Sequence, residues 1–70
     1  MSRVSVASDM MCSVCHDPET SILEIEFRNG SLYAYFDVPR DHYEALLLAT
    51  SKGKFFNAYL RGVFHFTRTR

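Results

Sequence analysis

The clearest pattern along the chain is a pair of alternating hydrophobic and polar segments joined by Asn29-Gly30. Alternation with a period of two is typical of a strand with one buried face, and it runs over 22–27 and again over 31–38. Asn-Gly between two such segments favours a two-residue type I′ turn, in which both turn residues take positive φ. The sequence therefore predicts a β-hairpin.

A two-residue loop would also fix the register of this hairpin. Phe27 would pair with Leu32, and the pairing would continue along both strands. The face expected to pack on the core holds six side chains: Leu23, Ile25, Phe27, Leu32, Ala34 and Phe36. The opposite face is expected to carry four polar or aromatic side chains: Glu24, Glu26, Tyr33 and Tyr35.

Other patterns add a strand and two helices. A short apolar segment over 10–16 predicts a strand, and Asp17-Pro18 favours a turn after it. Pro39 favours the start of one helix, and Ser51 is a good N-cap for another, which Gly62 would end. The predicted fold is α+β: an antiparallel hairpin or meander of about three strands, followed by two short helices packed on one sheet face. Residues 63–67 fit a C-terminal strand or an extended tail.

The length of 70 residues allows one domain, which we expect over 9–70 after a flexible N-terminal arm at 1–8. The first residues lack the apolar run of a signal peptide, and no segment approaches the length of a membrane span. We therefore expect a cytoplasmic protein with no membrane contact. Its two cysteines are expected to be reduced.

Charge is distributed unevenly along the chain, although the net charge is zero. Residues 1–44 hold all eight acidic residues and three arginines. Residues 45–70 hold two lysines and three arginines without any acid, among several aromatic residues. A basic, aromatic C-terminal part favours an anionic partner for that part of the chain, unless the two halves neutralise each other in the fold.

The residues from 23 to 61 resemble the KTSC domain, which is named for lysyl-tRNA synthetase C-terminal segments and also occurs as small stand-alone bacterial and phage proteins. The matching segments are 23–30, 33–39 and 51–62, and Tyr33-Ala34-Tyr35 corresponds to the family's central Tyr-x-Tyr motif. Residues 11–16 depart from the Ile-Gly-Tyr-like strand of the relatives. Because some members are appended to a tRNA synthetase, the resemblance implies a role in binding RNA.

Two groups of residues are candidates for such binding. The first is a basic edge for phosphates, whose members are Lys52, Gly53, Lys54, Arg61 and Arg68. A helix N-terminus with nearby ammonium groups suits a phosphate, whereas the plainer interpretation is a solvated loop between helices. The second group is Tyr33 and Tyr35, whose rings stack bases if they are exposed. The alternative for them is cross-strand packing against Glu24 and Glu26.

The run from Cys12 to His16 spells the Cys-x-x-Cys-His pattern of haem c attachment. That chemistry belongs to exported proteins, and neighbouring residues of a strand point to opposite faces. Zinc sites usually need two tight ligand pairs, and the sequence holds one. We therefore expect no cofactor, no metal and no catalytic residue.

The sequence thus favours a small non-enzymatic module that binds RNA or another nucleic acid through its basic C-terminal edge. The alternative is a protein-interaction or dimerisation domain without a role in nucleic-acid binding. We expect a monomer or a weak homodimer.

Overall fold

The structure is a computed structural model that describes residues 3–70. Five strands and two helices follow one another along the chain: β1 Val4–Ser5, β2 Met11–Asp17, β3 Ile22–Phe27, β4 Leu32–Tyr35, α1 Arg40–Leu48, α2 Lys52–Tyr59 and β5 Phe66–Arg68. No helix in the described range is long and apolar enough to cross a membrane.

The strands form one antiparallel sheet in the order β1-β2-β3-β4-β5, so each strand pairs with its neighbours in the sequence. The predicted α+β class is confirmed, with five strands where about three were expected. Two of the five are very short, and a pattern with a period of two is not visible in so few residues. β1 lies within the predicted arm at 1–8, whose first two residues lie outside the described range.

The hairpin between β3 and β4 forms where predicted, but its turn is one residue longer. The Phe27 N–H donates to Ser31 O at 2.9 Å and the Gly30 N–H donates to Phe27 O at 3.0 Å, so three residues form the loop. Only Gly30 takes a positive φ, of 90°, which is the arrangement of a type I turn followed by a left-handed residue. Asn29 Oδ1 accepts hydrogen bonds from Ser31 N and Ser31 Oγ, which stabilise this loop.

This extra residue makes the predicted register wrong, because it shifts β4 by one position. Ile25 pairs with Tyr33 and Leu23 with Tyr35, whereas Leu32 and Ala34 lie opposite the two glutamates. A shift of one residue moves every side chain of a strand to the other face. Tyr33 and Tyr35 therefore lie on the face that packs against the helices, and the expected packing of these tyrosines on Glu24 and Glu26 does not occur.

Replacement of Gly30 by Val is expected to destabilise the protein by about 1–2 kcal/mol, because a side chain at φ 90° is strained. No atom lies within 4 Å of a Cβ placed there, so the cost comes from the backbone and not from a clash. Urea unfolding measures the effect. Gly30→Asn is the matched control, since Asn tolerates left-handed backbone and should lose less; equal losses in both variants would contradict the turn assignment.

The helices end and begin near the predicted positions. α1 begins at Arg40, with Pro39 at its N-cap, and it buries Tyr43 and Leu46. Ser51 caps α2 as predicted, because its side chain accepts a hydrogen bond from the Lys54 N–H at 3.3 Å. Gly62 takes a φ of 76° just beyond the end of α2. Both helices lie on one face of the sheet and close the core.

The core is a single cluster between the sheet and the helices. Its ten buried members come from five elements and the segments beside them: Met11, Val14, Leu23, Ile25, Tyr35, Val38, Tyr43, Leu46, Phe56 and Leu60. From α2 and its C-cap, Phe56 and Leu60 are buried in this core. Tyr59 is 56% exposed, and its ring packs on Phe55 at 4.9 Å on the outer side of the helix.

The other face of the sheet holds Glu24 and Glu26, and each forms an ion pair with an arginine near one end of the described chain. Arg3 Nη2 lies 2.6 Å from Glu24 Oε1, and Arg70 Nη2 lies 2.5 Å from Glu26 Oε2. Hydrogen bonds from Ser13 Oγ and Arg70 lower the pKa of Glu26 below its usual range. The acidic first part and the basic last part of the sequence thus partly neutralise each other on this face.

Candidate functional site

Aromatic side chains line a cleft of about 420 Å³ between β4, β5 and α2, called here the aromatic cleft. Five rings form its apolar part: Phe27, Tyr33, Tyr35, Phe56 and Phe66. The Tyr33 and Tyr35 rings lie 6.3 Å apart and nearly parallel, with the Phe66 ring 5.5 Å from Tyr33 and 5.6 Å from Tyr35. Phe56 meets Tyr35 edge-on at 5.7 Å, and Phe27 meets Tyr33 in the same way at 5.5 Å.

Exposure differs strongly among these rings. Tyr35 is 4% exposed, Tyr33 is half-buried, and Phe66 on the edge strand is 56% exposed. Burial raises the pKa of Tyr35 to about 12, with a further increase from Tyr33 and a smaller opposing effect from Arg61. The Tyr35 hydroxyl therefore stays protonated at neutral pH. The tyrosines belong to the wall of a cleft, and they do not stand on an open sheet as the predicted register implied.

Polar groups stand at the rim of the aromatic cleft. Arg61 lines it from the end of α2, and no ion pair engages its guanidinium among residues 3–70. Asn29 and Ser31 line it from the hairpin turn. Since Asn29 Oδ1 already accepts from Ser31, the Asn29 amide has its Nδ2 hydrogens left to donate. Among residues 3–70, none of those that line this cleft carries a carboxylate side chain.

A second, shallower cleft of about 680 Å³ lies at the start of α2, and it is called here the lysine groove. Its walls come from the segment 7–10, from Arg28, from 50–54 and from Asn57. Three cations and one acid, Asp9, are among these residues. The predicted residues Lys52, Gly53 and Lys54 therefore lie together, and the structure adds Arg28 to them.

The three predicted residues of the lysine groove differ in what they contact. Lys52 Nζ donates to Ala49 O at 3.1 Å, which satisfies a carbonyl at the end of α1. Lys54 is exposed, and its ammonium makes no ion pair in the described range. A Cβ on Gly53 would lie 3.2 Å from Met10 Sδ, so the small size of Gly53 serves the packing of Met10. Of the two lysines, Lys54 is therefore the more available to contact a ligand.

The lysine groove and the aromatic cleft adjoin each other. Met10 lines both. Arg28 and Asn57 line the lysine groove, and their chain neighbours Asn29 and Phe56 line the aromatic cleft. One continuous surface therefore carries cations at one end and ring faces with Arg61 at the other.

Arg68, the last predicted member of the basic edge, lines neither cleft. It lies in β5 opposite Tyr33, and its Nε donates to Arg70 O at 3.0 Å. Several residues that line the site escaped the sequence-based prediction, among them Arg28, Asn29, Phe56 and Phe66. Arg28 directly precedes Asn29-Gly30, and this dipeptide indicates from the sequence that Arg28 lies at the tip of the hairpin.

The Cys-x-x-Cys-His segment forms part of β2, and its members diverge. Cys15 lies on the side of the glutamates, where burial is the main cause that raises the pKa of its thiol, and its Sγ is 3.6 Å from Glu24 Oε1. His16 lies in the core, where Nε2 is 2.7 Å from Val38 O and the ring stacks on Tyr43. Within residues 3–70, no group of three or more metal-ligating side chains comes together.

Comparison with known proteins gives a consistent assignment. The KTSC domain family profile matches residues 7–64. An uncharacterised protein of Stutzerimonas stutzeri is 47% identical over 57 residues, which are 81% of this chain and 80% of that protein. A lysine–tRNA ligase of Nostoc sp. is 41% identical over 51 residues, which are 73% of this chain but 9% of the ligase.

A solved structure extends the match to nearly the full length. The crystal structure of a KTSC domain protein from Yersinia pestis superposes with a TM-score of 0.95 at 33% identity, and the match covers 99% of this chain and 97% of that one. Arg3 and Arg70, which neutralise the two glutamates, fall outside the residues that the family profile matches. With a profile match over most of its length and close relatives of similar size, the chain belongs to the KTSC domain family.

Proposed function

We propose that this protein is a non-enzymatic module that binds single-stranded nucleic acid, and specifically RNA, along the surface formed by the lysine groove and the aromatic cleft. The observation that carries the proposal is the position of available cations next to accessible ring faces. Phosphates would contact Lys54, Lys52 and Arg28, and a base would contact the rings. Stacked bases and phosphate contacts are how proteins bind single strands.

The choice of RNA rests on a relative. A segment of 51 residues similar to this chain occurs in a lysine–tRNA ligase, an enzyme whose name gives an RNA as its substrate. The register of β4 removes an obstacle to RNA binding as well. Glu24 and Glu26 lie on the opposite face from the tyrosines and pair with Arg3 and Arg70, so they do not repel a phosphate backbone near the rings.

The absence of catalysis is part of the same proposal. A nucleophilic cysteine needs a lowered pKa and a base beside it. Burial instead raises the pKa of the Cys15 thiol, and the His16 ring lies in the core beside Tyr43. Neither residue lines a cleft.

Changing both Lys52 and Lys54 to Glu is expected to weaken the binding of a short labelled single-stranded RNA. The salt dependence should become shallower, since each phosphate contact contributes about −0.7 to the slope of log affinity against log salt. The free energy of unfolding should change little, because two effects oppose each other. Loss of the Lys52–Ala49 hydrogen bond destabilises the protein by about 0.5–1.5 kcal/mol. Each acidic residue at the start of a helix stabilises it by about 0.3–1 kcal/mol. Fluorescence anisotropy at about 50 and 200 mM salt measures the slope.

The matched control compares Lys54→Glu with Arg40→Glu, which makes the same change in net charge. Arg40 is exposed at the start of α1 and lines neither cleft. Lys54→Glu should weaken binding strongly and Arg40→Glu only slightly. Equal losses would show a non-specific charge effect, and no binding by the wild type at low salt would remove the nucleic-acid proposal.

The second candidate function is protein interaction. Several large hydrophobic side chains are exposed away from the two clefts, and the most exposed are Leu48 at 86%, Val63 at 59% and Tyr59 at 56%. Exposed apolar side chains mark a contact with another protein where they form a contiguous patch. A wild type that binds no RNA but forms a dimer whose dissociation constant rises in Leu48→Gln would support this function instead.

A further inference from the structure

We propose that the aromatic cleft selects one unpaired base that carries a carbonyl oxygen where cytosine and adenine carry an exocyclic amino group, namely uracil through O4 or guanine through O6. The inference deepens the proposed nucleic-acid binding and rests on it. It assigns the discrimination between bases to Tyr35, Arg61 and Asn29, and it leaves the phosphate contacts to the lysine groove.

The size and walls of the cleft fit a planar heterocycle. Its volume of about 420 Å³ lies within the range of about 300–1,000 Å³ that small ligands occupy. Phe66 stands 56% exposed on one side, and Tyr33 lies 5.5 Å from it with a tilt of 40° between the rings. A base placed against these rings would gain stacking energy without regard to its identity, since every base has a π-face.

The Tyr35 hydroxyl supplies a polar contact inside the cleft. Tyr35 is 96% buried, lines the cleft, and makes no hydrogen bond through its hydroxyl to any residue in 3–70. Its oxygen is nevertheless not closed off, because the one buried side-chain polar atom without a partner in that range is His16 Nδ1. A hydroxyl whose oxygen is accessible and unpartnered within residues 3–70, on a ring that lines the cleft, is available to bond a ligand there, and because it stays protonated it can donate.

The other polar groups at the rim decide which base fits. The Arg61 guanidinium and the Asn29 Nδ2 group only donate, the hydroxyls of Ser31, Tyr33 and Tyr35 can donate or accept, and no carboxylate among residues 3–70 lines the cleft. Uracil presents O4 where cytosine presents an N4 amino group, and guanine presents O6 where adenine presents an N6 amino group. The fixed donors of Arg61 and Asn29 therefore favour O4 and O6 over the two amino groups.

The test compares oligo(U) with oligo(C) of equal length, because the two pyrimidines have the same ring size and differ at position 4. Wild-type protein is expected to bind oligo(U) about fivefold more tightly or better, as the gain of one hydrogen bond implies. Tyr35→Phe keeps the ring and removes the hydroxyl, so it should bring the two affinities close together mainly by weakening oligo(U). Arg61→Gln should reduce the preference as well.

Lys54→Gln is the matched control, since it removes a cation from the lysine groove and leaves the aromatic cleft intact. It should weaken both oligonucleotides by the same factor and keep their ratio. Equal binding of oligo(U) and oligo(C) by the wild type, or an unchanged ratio in Tyr35→Phe, would overturn the base selection and leave the proposed RNA binding in place.

Uridine, which has no phosphate, separates the two proposals. In NMR titrations it is expected to shift the ring signals of Tyr33 and Tyr35 and not the backbone signal of Lys54. Cytidine should shift the ring signals less at the same concentration. Ring shifts with uridine but no binding of any oligonucleotide would keep the base site and refute the nucleic-acid function, whereas no ring shifts with uridine together with no binding of any oligonucleotide would refute both.

Discussion

Leu46→Ala is expected to lower the free energy of unfolding by about 2–5 kcal/mol, the range for truncating a fully buried leucine. Leu46 is 0% exposed and packs in the single core cluster beneath α1. A domain of 70 residues has a total stability of roughly 3.5–10 kcal/mol, at about 0.05–0.15 kcal/mol per residue. The loss should therefore be a large fraction of the total stability, and urea unfolding followed by circular dichroism measures it.

Leu48→Ala is the matched control, because it makes the same chemical change on the same helix at a side chain that is 86% exposed. It should change the free energy of unfolding by no more than about 0.5 kcal/mol. If Leu46→Ala is too unstable to titrate, Leu46→Val removes one methylene group and should cost about 1 kcal/mol. Similar losses at positions 46 and 48 would show that α1 does not turn this face to the sheet.

Phe56→Ala is expected to cost about 3–5 kcal/mol and to abolish the aromatic cleft at the same time. Phe56 is 4% exposed, and its ring meets Phe27 and Tyr35 edge-on at 5.5 and 5.7 Å. It thus joins α2 to both strands of the hairpin. Thermal unfolding measures the stability, and RNA titration under conditions where the variant is still folded measures the effect on binding.

Tyr59→Ala tests whether this cost is specific to the inner face of α2. Tyr59 lies one turn away on the same helix and contacts Phe55 on the outer side. Its truncation should cost under about 1.5 kcal/mol, the value of an aromatic pair, and should leave RNA binding unchanged. A larger loss for Tyr59→Ala than for Phe56→Ala would mean that the face of α2 has been assigned wrongly.

The sequence predicts the elements of this fold well and their register poorly. The caps and breaks at Ser51 and Gly62 act locally, so the sequence is enough to place them. The register of β4 depends on whether the turn has two or three residues, and Asn-Gly is compatible with both. Asn29 and Ser31 hydrogen bond to each other in the longer turn, which a pattern of hydrophobic positions does not reveal.

The one extra residue in the turn between β3 and β4 explains most of what the sequence analysis missed at the candidate site. With the predicted register, Tyr33 and Tyr35 would stand beside two carboxylates, and a base site there is unfavourable. With the observed register they meet Phe56 and Phe66, which lie far along the chain. The positions of Lys52 and Lys54 were predictable because they follow directly from the cap of α2, whereas the addition of Arg28 required the three-dimensional arrangement of the hairpin tip.

The order of the strands sets how the sheet opens. Strands β2, β3 and β4 are joined by short turns, but β5 pairs with β4 only after the chain has closed a loop over residues 36–65. Closing a long loop has a larger entropy cost than closing a turn, and all three residues of β5 are exposed. Like the other edge strand β1, β5 is short and exposed, so it has less to lose on detaching than the central strands, and local opening can release it while β2, β3 and β4 stay paired. Since β5 carries Phe66, such an opening would remove the outer wall of the aromatic cleft, and a base bound against Phe66 would oppose it.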